Sequence, residues 1–104
     1  MMTVPEGPDP LIVDPVRYKV LFENERVRVL EFRDKPGEKS PMHVHPDRLV
    51  YNIGNWKRKF TYPDGRTEIA EGRAGEVKWS APLAHAGENI GTTETHTLFI
   101  EFKT

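Results

Sequence analysis

Three histidines are the residues of this 104-residue chain best equipped for chemistry. His43 and His45 stand one residue apart in "SPMHVHPDRLV", and His85 stands in "GEVKWSAPLAHAGEN". Successive side chains on a β-strand alternate between faces, so His43 and His45 point one way while Met42 and Val44 point the other. Two imidazoles on one face of a rigid strand can aim two ring nitrogens at one point. His85, from a distant strand, can bring a third. Imidazole suits Fe, Ni, Cu and Zn alike, so the set indicates a divalent transition metal (Fe, Ni, Mn, Cu or Zn) without selecting one. The alternative is that the histidines face a polar pocket in which no metal binds. The chain has no cysteine, which removes thiolate ligands, thiol nucleophiles and disulfides.

Short strands must carry these residues. "RYKVLF", "RVRVLEF", "RLVYNI", "WKRKFTY", "RTEIAE", "EVKWSA" and "THTLFIEF" are rich in β-branched and aromatic residues and separated by turn signals. Pro63-Asp64-Gly65 reads as a hairpin: proline presets φ, aspartate bonds locally and glycine accepts positive φ. No window of helical length keeps a 3.6-residue period with caps. The pattern predicts an all-β sandwich or barrel over residues 17–104, preceded by an extended, proline-rich N-terminal arm over 1–16. Within it, Trp56, Arg58, Phe60 and Tyr62 share one face. Arg58 there can pair with a substrate carboxylate, or simply stack on an aromatic ring. Tyr51, Phe60 and Trp79 are further candidates for pocket walls, with core packing the default for Trp79. His96 shares a face with Leu98, Ile100 and Phe102, which reads as the core side, and joins the pocket candidates there. The simpler role for His96 is a histidine bonded to a neighbour.

The spacing Gly37-x5-His43-x-His45, followed by Gly75, Pro82, His85 and Asn89 in that order, resembles the two sequence motifs of the cupin family. The resemblance runs from Arg26 to Phe102 and implies a small single-domain cupin: a β-barrel or jelly-roll sandwich. It also implies one metal ion held by His43, His45 and His85. The chain departs from the family pattern in two places. The glutamate that usually follows the second histidine as a fourth ligand is absent, its positions holding Leu49 and Val50, or Arg48 in a shifted alignment. The second motif is shortened to "PLAH". Three neutral ligands leave the ion its full charge and favour an anionic, chelating substrate. Cupins that keep three histidines and lose the glutamate include non-haem iron dioxygenases of thiols and β-diketones, so the resemblance implies dioxygenase-like chemistry. The alternatives are a non-catalytic small-ligand or sensor module and a metal-assisted isomerase or hydrolase.

Composition sets the outer bounds. A chain of this length forms one domain and buries roughly two-thirds of its unfolded surface. The formal net charge of −1 gives no basic surplus, so nucleic acid is a poor partner. No apolar run approaches the ~20 residues of a membrane helix. "MMTVPEGPDPLIVDP" lacks the pattern of a secretory signal, and a cytoplasmic location is expected. A homodimer is expected as well, because open β-edges need covering and the N-terminal "LIV" can add to a neighbour's sheet.

Overall fold

The computed structural model describes residues 6–103. The β-branched and aromatic runs form nine strands: β1 (Tyr18–Glu23), β2 (Val27–Asp34), β3 (Lys39–His45), β4 (Arg48–Asn52), β5 (Trp56–Thr61), β6 (Thr67–Gly72), β7 (Val77–Ser80), β8 (Leu83–Asn89) and β9 (Thr95–Phe102). They pair antiparallel into a five-stranded sheet, β1-β2-β9-β4-β7, and a four-stranded sheet, β3-β8-β5-β6. The all-β architecture expected from sequence is present. The Pro63–Gly65 hairpin is present too: the Tyr62 N–H donates to the Arg66 carbonyl at 2.9 Å, and Gly65 takes a φ of 87° that a side chain would resist. β8 has no β-branched residue and carries Ala84, Ala86 and Gly87. It is a strand because it lies between β3 and β5 and bonds to both, a case of pairing overriding propensity. Among the described residues, no helix is long and apolar enough to cross a membrane.

The extended N-terminal arm is corrected. Residues 1–5 lie outside the described part, and the rest of the segment folds back on the barrel. Pro10–Val13 form a single helical turn, α1, with Asp9 as its N-cap: the Asp9 Oδ1 accepts the Leu11 N–H at 2.9 Å. Asp followed by Pro is a helix-start signature, which the proline-rich composition obscured. The turn is fastened twice at its N-terminal end. The Val44 N–H donates to the Pro8 carbonyl at 3.0 Å, and Asp9 takes an ion pair from Arg28 at 2.9 Å. Leu11 packs on the small apolar core of Tyr18, Leu30 and Phe32, with Phe99 beside it.

Most of the interior is polar. On β9 the inward residues are Thr95, Thr97, Phe99 and Glu101; on β4 they are Arg48, Val50 and Asn52. Side-chain hydrogen bonds cross from one sheet to the other. Arg58 Nη1 on β5 donates to both carboxylate oxygens of Asp34 on β2, at 2.9 and 2.7 Å, and to Thr95 Oγ1 at 3.0 Å. Asn89 on β8 donates to the same Asp34 carboxylate at 3.1 Å. Gly87 leaves the space this requires, since a Cβ there would meet Arg58 Nη2 at 2.8 Å. Removing one partner of a buried pair strands the other charge. Arg58→Met is therefore expected to lower unfolding stability by about 3–5 kcal/mol in urea titration. A loss under about 1 kcal/mol would mean that this pair does not fasten the sheets together.

Candidate metal centre

β3 and β8 bring the two histidine segments together. Their register sets Ser40 opposite Gly87 and His43 opposite His85, so β3 spends one more residue than β8 over that stretch. The extra residue is a bulge at Pro41 and Met42. Proline has no N–H to give a ladder, and a bulge is where a strand tolerates it. The bulge sets the phase that turns His43 and His45 inward. It also places the Pro41 carbonyl 2.7 Å from His43 Nδ1.

The three rings meet edge to face, with centroids 4.7 Å (His43–His45), 4.9 Å (His43–His85) and 5.3 Å (His45–His85) apart. One ring nitrogen from each lies within 4.8 Å of the other two. Hydrogen bonds fix the tautomers of two of them. The Pro41 carbonyl only accepts, so His43 carries its proton on Nδ1 and leaves Nε2 with a lone pair, 3.3 Å from the Tyr18 hydroxyl. Glu101 Oε2 accepts from His45 Nδ1 at 3.0 Å, so the His45 Nε2 lone pair is also free. That nitrogen is sealed from solvent and has no hydrogen-bond partner. His85 is clamped by Phe60, which stacks on it at 4.9 Å and 8°.

All three imidazoles are held neutral, the form that binds metal. Burial is the main cause in each case. The Arg48 charge pushes in the same direction on all three, and His85 is driven down to about 2. Convergent lone pairs, one of them a buried acceptor with no donor, fit a divalent transition metal. Glu101 behaves as the carboxylate that orients a ligating histidine. Its Oε1 is taken by Arg28 Nε at 2.9 Å and Nη2 at 2.7 Å. β4 supplies no carboxylate: Val50 faces inward and Leu49 pairs outward with Ile100 and Trp79.

Comparison with known structures places this geometry in a family. A cupin domain from Bordetella pertussis Tohama I superposes with a TM-score of 0.76 at 27% identity, over 84% of this chain and 92% of that one. The chain is a cupin in fold. A double-stranded β-helix protein from Klebsiella pneumoniae superposes with a TM-score of 0.63 at 20% identity, over 92% of this chain and 78% of that one. Oxalate decarboxylase of Bacillus subtilis, described through its Mn(II) centres, gives 0.55 at 25% identity. It covers 74% of this chain, which spans only 22% of the decarboxylase. No protein-family model matches the chain, and no curated protein matches it either.

In this cupin fold His43 and His85 open onto a cavity of about 290 Å³ lined also by Tyr18, Arg48, Phe60 and Phe99, among others, while His45 is buried behind them. Of the sequence candidates, Arg58 and Phe60 line it, and Arg58 is committed to Asp34. Trp79 borders it in part, and two others, Tyr51 and His96, stand elsewhere. Tyr51 lies across from Leu98 and Val77 on the outer face of its sheet. The Trp79 ring stacks on Phe102 at 5.5 Å on that same face, so only part of the residue borders the cavity. His96 bonds to Glu31 Oε2 at 2.8 Å on the outer side. The face of β9 bearing His96, Leu98, Ile100 and Phe102 is the outer one, because the interior it turns from is polar. Choosing the more apolar face as the inner one inverted this strand. That inversion concealed Glu101.

The same cavity holds Arg48, 3% exposed, with Nε and Nη1 sealed and lacking any hydrogen-bond partner. Burial lowers Arg48 to about 10, so it is charged at neutral pH. The orphaned donors cost on the order of 1–3 kcal/mol or more of stability.

Two predictions follow from this environment. An unfolded histidine takes its proton near 6.5, and burial holds all three folded ones lower. As pH falls below 6.5 the unfolded chain binds more protons than the folded one. Stability then drops by up to about 1.4 kcal/mol per pH unit for each histidine. Glu101, raised by burial, works in the opposite sense, one group against three. The melting temperature of metal-free protein should therefore fall steeply from about pH 6.5 to 5. A flat profile would show that the imidazoles are not held neutral. Separately, Glu101→Gln should weaken metal affinity by about 10–100-fold in a competitive chelator titration. Unchanged affinity would remove Glu101 from the centre.

Proposed function

We propose that this cupin is a three-histidine, metal-dependent dioxygenase acting on a small anionic, chelating substrate. The observation that carries it is the convergence of three neutral imidazoles, without a carboxylate ligand, beside a cavity of about 290 Å³ that His43 and His85 line. That volume is at the lower end for ligand pockets and suits a small molecule. His43, His45 and His85 would hold a divalent ion, which when bound would supply Lewis acidity and activation of O₂ toward a chelating anion. O₂ is the oxidant, and both of its atoms end in the product.

The chain's own residues prepare the place. Pro41 and Glu101 hold the His43 and His45 rings with Nε2 forward. Phe60 fixes His85. Tyr18, kept as a neutral phenol by burial, presents a hydroxyl beside His43 that can donate to an oxygen of the substrate. Phe99 and Phe32 give the cavity apolar walls that keep bulk water off a reactive anion. The likeness to a decarboxylase of oxalate with Mn(II) centres supports a metal and an anionic chelator; in that enzyme this domain is one part of a larger chain.

Protein purified without an affinity tag should carry a near-stoichiometric transition metal by elemental analysis, and His43→Ala should carry none. Turnover of the substrate should consume O₂ and stop under argon. Activity that persists without O₂ would mean a metal-assisted isomerase or hydrolase. Failure of the protein to take up Fe, Mn, Ni, Cu or Zn on reconstitution would leave a non-catalytic ligand-binding module.

A further inference from the structure

A guanidinium stays charged, and a buried one without an acceptor is held at a cost that folding does not recover. Arg48 is such a group. It opens β4, three residues after His45, and its side chain points between the sheets. Nε and Nη1, which together carry most of its N–H donors, reach no acceptor and no solvent. Its Cζ lies 5.7 Å from the face of Phe99, and the Glu101 carboxylate attracts it through space without a hydrogen bond to Nε or Nη1. The buried carboxylates nearby are engaged elsewhere. Glu101, directly across the ladder from Arg48, is held by Arg28 and His45. Asp34 is held by Arg58 and Asn89; Asp14 gives Oδ1 to Arg17 and keeps a buried, unpartnered Oδ2, which makes no hydrogen bond to Arg48. Among the described residues, no acceptor reaches Nε or Nη1 of this buried cation.

That cation shares its cavity with His43 and His85. With a divalent ion beside it, the cavity would hold two buried positive centres. We infer that Arg48 receives the carboxylate of the substrate, and that the substrate class is a small carboxylic acid whose adjacent oxygen or sulfur donor reaches the ion at His43, His45 and His85. The second half of this rests on the metal centre proposed above; the carboxylate contact at Arg48 stands without it.

A carboxylate fits better than a phosphate. The planar fork of a guanidinium matches a carboxylate edge. The other arginine lining the cavity, Arg58, is already neutralised by Asp34. Lys78, Glu68 and Glu71 also line the cavity of about 290 Å³ but are exposed, so Arg48 is the buried cation there whose donors lack a partner. It also discriminates: a chelator of the same size without a carboxylate leaves the guanidinium as unpartnered as before.

The test uses the full chain, metal-free and Zn²⁺-loaded, with pyruvate as the chelating carboxylate, acetylacetone as a chelator without one, and inorganic phosphate. Wild type is compared with Arg48→Met, which removes the charge at similar length, and Arg48→Lys, which keeps the charge without the fork. Pyruvate should raise the melting temperature of metal-free wild type and leave that of Arg48→Met unmoved. In calorimetry on Zn²⁺-loaded protein, pyruvate affinity should fall at least about tenfold in Arg48→Met and less in Arg48→Lys. Acetylacetone affinity and zinc uptake should not fall. Ligand-free Arg48→Met should melt at or above wild type, because a buried unpartnered charge is gone; a residue with a purely structural role would give the reverse. The inference is overturned if folded Arg48→Met binds pyruvate as wild type does, if wild type prefers phosphate, or if wild type binds no pyruvate. Zinc uptake is read in the same samples. Its absence defeats the metal centre alone, while the shift in metal-free protein still decides the role of Arg48.

Discussion

The two sheets are tied across their gap by side-chain hydrogen bonds, and the rest of the molecule is arranged around those ties. Arg58 reaches from β5 to Asp34 on β2 and Thr95 on β9; His45 reaches from β3 to Glu101 on β9; His43 meets the Tyr18 hydroxyl from β1. Buried polar contacts of this kind are unforgiving, because each group left unpaired costs more than a made bond returns. A barrel closed this way has few alternative packings, since a strand slipped by one residue would turn every one of these groups to the wrong face. The apolar core is correspondingly small: Tyr18, Leu30 and Phe32 with two partly buried neighbours. The cavity exists because the interior is closed by directional bonds and not filled by side chains.

The same bonds that close the barrel also prepare the metal centre. The Pro41 bulge gives β3 the phase that aims both histidines inward, and its carbonyl fixes the tautomer of one of them. Glu101 fixes the other and anchors Arg28, which in turn holds Asp9 at the start of the N-terminal turn. The folded-back N-terminal segment is thus connected by a continuous chain of ion pairs to a ring nitrogen of the site. Structural and functional roles cannot be separated along that chain. A change at Asp9 acts on His45 through two intermediates.

Much of this was legible in the sequence. The strand class, the Pro63–Gly65 hairpin and the histidine spacing rest on local patterns that a chain prints directly. Three features did not print. The N-terminal segment has the composition of an extended arm, and its Asp9-Pro10 start signal spans only two residues. β8 has poor strand propensity and is formed by its neighbours. The parity of β9 was readable, but not which face turned inward: the usual guide puts Leu98, Ile100 and Phe102 inside, and the barrel instead buries Thr95, Thr97 and Glu101. Hydrophobic pattern locates a core only where the interior is apolar. Here the guide failed at the strand that supplies the site's carboxylate, in keeping with functional sites being where local rules break.

The charge of the centre follows from what stands on β4. A glutamate ligand would subtract one charge from a bound ion and take one coordination position. Here the strand presents Arg48 and Val50 instead, and among the described residues the carboxylate hydrogen-bonded to one of the three histidines is Glu101, which binds through a ring N–H and is shared with Arg28. The inner surface is therefore more positive by about two charges than one with a glutamate ligand in place of the arginine, with a buried cation whose Nε and Nη1 no protein acceptor reaches. Fixed, desolvated charge cannot relax toward a neutral ligand the way solvent would. So the site is complementary to an anion before any metal enters, and metal binding deepens that preference. On the proposed reading, selectivity for a small acid would be a property of the folded chain itself, set by one arginine and an absent glutamate, and a bound ion would determine the chemistry done on the acid admitted.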